Sequence, residues 1–134
     1  MANTTFSGPV RSENGFEQVT KNATTGAFTT SATYGATITG GVQSLSGAGA
    51  VDLTNLITEL TTTGADALTL ADGTTSGQVK IVTMIVDGGD GTLTPVTFAN
   101  GTTITFDAVA ESVTLVWNST IGWVATSVQG ATIA

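Results

Sequence analysis

Cysteine and histidine are both absent from the 134 residues. Their absence excludes disulfides, thiolate or imidazole metal ligands, cysteine nucleophiles and the Ser-His-Asp arrangement. Cations are almost missing: Arg11, Lys21 and Lys80 face ten acids, and the net charge is −7. Nucleic-acid binding needs Lys and Arg to neutralise phosphates, and three scattered cations do not supply that. An anionic membrane surface is excluded on the same ground. Charged residues make up only 10% of the chain, against about 25% in ordinary domains. There are two prolines. The longest strongly apolar run, Ile81 to Val86, is too short to span a bilayer as a helix. Met1 to Phe6 holds neither the basic nor the apolar stretch of a secretory signal.

What is present points to strands. Threonine is the commonest residue, and the apolar content comes from Val, Ile, Ala and Leu. Thr, Val and Ile are stiff at χ1 and fit a pleated sheet better than a helix. The turn formers predict an extended N-terminal arm over residues 1–26, whose Phe6, Val10 and Phe16 are expected to dock onto a neighbouring subunit. A β body over 27–134 follows. Gln78 to Val86 is its strongest strand, with Val79, Ile81, Thr83 and Ile85 on one face and Lys80, Val82, Met84 and Val86 on the other. Apolar residues on both faces predict burial on both, in the core or between subunits. Val82, Met84 and Val86 are accordingly taken as the oligomer contact.

Asn100-Gly101 predicts a tight hairpin between Val96–Phe98 and Thr103–Phe106, and Pro95 marks an edge strand or a bulge. A second hairpin joins Ser112–Trp117 to Trp123–Thr126. Short strands every 8–12 residues or so, divided by glycine turns, predict an all-β, antiparallel, sandwich-like or jelly-roll-like body. Thr-rich phrases recur without a fixed period, so a coiled repeat is not expected.

Site chemistry is sparse. Asp87 with Asp90, and Asp107 with Glu111, are the candidate carboxylate pairs for acid–base work, and all lie in predicted turns, where an acid is normally solvated. Asp87–Leu93 resembles a calcium loop but lacks a second copy and places Leu93 where an acid is required. No catalytic residue, metal or cofactor is assigned. Trp117 and Trp123 flank one hairpin, where a structural cross-strand pair is the ordinary role. Together with Tyr34 they are the candidates for stacking on a glycan.

Several phrases carry a resemblance. Leu60-Thr61-Thr62-Thr63-Gly64-Ala65-Asp66-Ala67-Leu68-Thr69-Leu70-Ala71-Asp72-Gly73, Gly77-Gln78-Val79-Lys80-Ile81, Asp87 to Pro95, Thr102 to Asp107 and Val113-Thr114-Leu115-Val116-Trp117 resemble virion structural proteins of marine tailed bacteriophages. The opening Phe6 to Phe16 is similar to the N-terminus of that group. Where many of them have Gly-Asp before the Val-Thr-Leu strand, this chain has Ala110-Glu111. The resemblance implies a capsid decoration (cement) protein, commonly a homotrimer, bound to the major capsid protein on a virion assembled in the host cytoplasm. A tail-fibre tip or head-appendage knob binding host-surface glycan is the other role it implies. In either role the chain is expected to be no enzyme.

Overall fold

The computed structural model describes residues 16–21, 24–34 and 41–134. The chain divides into two units, Met1–Ile38 and Thr39–Ala134. In the first, β1 (Phe16–Lys21) and β2 (Phe28–Tyr34) form an antiparallel hairpin. Phe16 lies opposite Tyr34 and Lys21 opposite Phe28, with a register shift between Gln18 and Val19. The segment read as an arm thus contributes a strand that pairs with one from the segment read as body. Phe6 and Val10 lie outside the described residues.

The second unit holds β3 (Val42–Ser46), β4 (Gly49–Val51), β5 (Ile57–Thr61), β6 (Asp66–Leu70), β7 (Val79–Val86), β8 (Gly91–Pro95), β9 (Ile104–Phe106), β10 (Ser112–Asn118), β11 (Gly122–Gln129) and β12 (Thr132–Ile133). They make two five-stranded sheets, ordered β11-β10-β7-β5-β3 and β12-β9-β8-β6-β4. The inner faces of both sheets fill one core. Leu60, Val82, Met84, Val113 and Leu115 come from the first sheet, and Leu68, Leu70, Leu93, Ile104 and Phe106 from the second. The all-β, sandwich-like reading holds.

Strand direction departs from the antiparallel expectation. β3, β5 and β7 run parallel in the first sheet, as do β4, β6 and β8 in the second. The chain alternates between sheets, so three two-strand turns (β3–β4, β5–β6, β7–β8) stack in parallel before antiparallel strands complete each sheet. This coil was not expected because its turns are unequal. Val42 pairs with Ile57 and Ile57 with Ile81, so the two steps differ in length and leave no period in the sequence. Stacking is visible instead as side-chain ladders. Leu45, Leu60 and Met84 are successive partners in one sheet, and Leu68, Leu93, Ile104 and Ile133 in the other.

The Asn100-Gly101 hairpin is also corrected. Strand β8 pairs with β9, Leu93 opposite Ile104, so the connection is a longer loop from Val96 to Thr103. Within it Phe98 makes only a single bridge to Trp123, and the Asn100 side-chain oxygen accepts the Ala125 N–H at 2.8 Å. Asn100 therefore caps an edge strand rather than turning a hairpin. The Pro95 expectation is corrected too: β8 is the central strand of its sheet and has no bulge against β6, and Pro95 stands at its last position, opposite Leu70. The β10–β11 hairpin forms as expected, with Trp117 opposite Trp123.

Ala110 carries a positive φ of 71°, the one described non-glycine residue to do so. Its Cβ is disfavoured in that left-handed conformation. Its N–H still donates to the Met84 carbonyl at 2.9 Å, which holds the turn in place. Ala110→Gly should therefore raise stability by about 1 kcal/mol, read as a higher urea midpoint with an unchanged slope.

Candidate contact face and a buried polar clasp

Among the described residues there is no pocket, and no group of three or more His, Cys, Asp or Glu side chains placed to hold a metal ion. The turn acids serve their own turns. Asp87 accepts the Gly89 N–H at 2.9 Å, and Glu111 accepts the Asp107 N–H at 2.7 Å.

Neither tryptophan is placed to stack on a sugar. Trp123 is 0% and Trp117 8% exposed, edge-to-face at 5.4 Å between ring centroids. The Trp123 indole N–H donates to the Ala71 carbonyl at 2.9 Å, so its polar atom is spent inside the fold. Gly73 lets the backbone lie against Trp117, where a Cβ would come within 2.3 Å of the ring. The glycan assignment of Trp117 and Trp123 is corrected to core and hairpin packing. The side chain of Tyr34 lies outside the described residues, as does that of Phe16.

The oligomer contact is corrected at two of its three residues. Val82 and Met84 are 0% and 1% exposed and point into the chain's own core, whereas Val86, past the ladder irregularity at Leu60/Thr61, is exposed. Both faces of β7 are apolar in sequence, but only the Lys80–Val82–Met84 side is covered. The Val79–Ile81–Thr83–Ile85 side forms part of the outer face of the first sheet.

That outer face is ordered in rows across the strands. Val42, Ile57 and Ile81 are successive partners across β3, β5 and β7, and Val79, Val116 and Val124 across β7, β10 and β11. The two rows are adjacent, because Val79 and Ile81 are same-face neighbours on β7. The next row, Ser44, Glu59, Thr83, Ser112 and Gln129, is polar. Of the two ionisable residues on the strands of this sheet, Glu59 faces outward and Lys80 inward. One end of the face is thus a block of β-branched side chains without charge.

Behind it lies a polar cluster that sequence reading missed. Lys80 is 1% exposed; its Nζ donates to the Asn55 carbonyl at 2.8 Å and lies 3.8 Å from the Asp52 carboxylate. Asp52 accepts the backbone N–H groups of Thr54 and Asn55 at 3.0 and 2.8 Å and the Asn55 side-chain amide at 2.6 Å. Gln43 accepts from the Thr58 hydroxyl at 2.8 Å and the Asp52 N–H at 2.9 Å, and donates to the Ala50 carbonyl at 2.8 Å. Together they clasp the corner between β4 and β5 to β3 and β7. Burial alone would raise the Asp52 pKa, but the Asn55 donors, the Lys80 charge and the Thr54 N–H hold it below the usual carboxylate value. Burial pushes the Lys80 ammonium below its usual value, and Asp52 offsets only part of that. A usable signal was the phrase Asp52-Leu53-Thr54-Asn55, an Asx-turn composition between two strands.

No protein-family model matches the chain, and no curated protein matches it as a relative.

Proposed function

We propose that this chain is a structural subunit of a bacteriophage particle, a capsid decoration (cement) protein that binds the major capsid shell as an oligomer and stabilises it. One observation carries this reading: a charge-free apolar block on the outer face of the β11-β10-β7-β5-β3 sheet, in a chain with net charge −7. Exposed apolar surface rimmed by polar residues marks a contact site. The overall acidity keeps copies soluble and confines close approach to uncharged surface of this kind.

Mechanistically the chain does no chemistry. Asp87 and Glu111 serve their own turns, Lys80 is held by a carbonyl and a carboxylate, and the effect comes from contact area multiplied over a lattice. Modest individual contacts suffice when many copies bind one shell. Binding the mature shell and not its disassembled parts stabilises the shell by mass action.

The test is the number of copies per particle, measured by quantitative mass spectrometry of purified virions that encode the chain. Hundreds of copies support decoration. A few to tens would move the protein to a tail or appendage, and a chain missing from the particle ends the reading.

A further inference from the structure

We propose that the outer face of the β11-β10-β7-β5-β3 sheet is where a second copy of this chain docks, through Val42, Ile57, Val79, Ile81, Val116 and Val124. The inference rests on the structural-subunit reading above and names the partner of that face.

Three properties select a second copy as the occupant. The first is area. Five strands at a spacing of about 4.8 Å, each roughly 17–27 Å long, give a face on the order of 500 Å². Two such faces bury about 1,000 Å², where specific interfaces begin.

The second is charge. Copies that each carry −7 repel over most of their surface, so identical chains approach at least cost where neither presents an ionised group. Among the described residues on the strands of this sheet, the one ionisable side chain on the outer face is Glu59, in the polar row beside the apolar one. A cationic partner would need carboxylates to pair with and an anionic one would need cations. The apolar block offers neither.

The third is shape. Rows of β-branched residues across adjacent strands form a ridged surface that packs on another of its kind at about 10 Å between sheets. A twofold axis through the middle of the face makes the contact isologous and lets the two faces overlap in full. Glu59 lies on β5, beside the central β7, so the axis keeps the two Glu59 carboxylates on opposite sides of it.

The experiment uses the full chain in sedimentation-equilibrium runs across a concentration series. Wild type should form a reversible homo-oligomer. Ile81→Lys, which puts an ammonium in the middle of the block, should weaken association by about 100-fold or more. Val96→Lys carries the same charge change at an exposed valine in the loop after β8, off this face, and should associate like wild type. Far-UV circular dichroism and a thermal melt check that the lysine variants are folded. Should Ile81→Lys misfold, the near-isosteric pair Val79→Thr with Val116→Thr takes its place, with an expected loss of about 10-fold.

A wild type that stays monomeric to about 1 mM overturns the inference. So does a folded face variant that associates undiminished, or a Val96→Lys variant that loses as much as Ile81→Lys. Cosedimentation with capsid shells separates the two readings. A monomer that binds shells through this face retains the structural role and assigns the face to the shell protein. An oligomer that ignores shells retains the docking face and removes the structural role.

Discussion

Trp123→Ala should lower the unfolding free energy by about 3–5 kcal/mol, the cost of emptying a buried indole site. Single domains of this size are stable by about 5–15 kcal/mol in total, so the variant stands close to the folding threshold. The loss is large because Trp123 joins three parts of the fold. Its ring packs on Trp117 across the β10–β11 hairpin, and its indole N–H holds the Ala71 carbonyl beyond the end of β6. Its backbone N–H donates to the Thr97 carbonyl, and its carbonyl accepts the Ala99 N–H. Trp123→Phe keeps most of the volume but leaves the Ala71 carbonyl without its donor, and should cost about 1–3 kcal/mol. Urea titrations followed by circular dichroism read both. A Trp123→Ala midpoint within error of wild type would contradict this packing.

The second large effect is at the clasp. Asp52→Ala removes the acceptor of two backbone N–H groups and the counter-charge of a buried ammonium. Removing one partner of a fully buried pair costs about 3–5 kcal/mol. Asp52 is about one-third exposed, and water there screens the charge, so about 2–4 kcal/mol is expected. The pH dependence follows from the pKa directions. Asp52 titrates lower in the fold than in the unfolded chain, where its value is near 3.8. Its contribution is complete above that value and is lost as pH falls through the folded one. Lys80 also titrates lower in the fold, so its buried ammonium weakens the fold at neutral pH. That penalty fades as pH rises through the folded value towards 10.5, above which both states are neutral. Stability of wild type should therefore fall steeply below pH 3.8, and more steeply than that of Asp52→Ala. Parallel acid limbs for the two proteins would show that Asp52 does not carry this dependence.

The strands themselves were legible because their residues agree with their state. Val79–Val86, Ser112–Trp117 and the partner at Trp123 are β-branched or aromatic, flanked by glycine or asparagine turns, and they form where expected. Direction was not legible, since nothing local in Ile57–Thr61 or Asp66–Leu70 distinguishes a parallel neighbour from an antiparallel one. The buried side of β7 was hidden for a different reason. Both of its faces are apolar, and the one charge, Lys80, marks the inner face when a charge normally marks the outer. Only the backbone carbonyl of Asn55 and the carboxylate of Asp52, brought in from a separate corner, make that placement tolerable. The outer face of β7 was hidden by the same alternation. Val79 and Ile81 are as apolar as Val82 and Met84 in the sequence, and only burial separates the core pair from the outer one.

The central claim is that the chain acts by fitting its surface to other copies and to a capsid shell. Its most direct test is the temperature at which purified mature shells lacking the chain release their DNA, followed by dye fluorescence as the chain is titrated in. The release temperature should rise and then level off at a fixed ratio of chain to shell subunit, with the bound chain sedimenting alongside the shells. A release temperature that never moves, with all of the chain left in the supernatant, would contradict the claim.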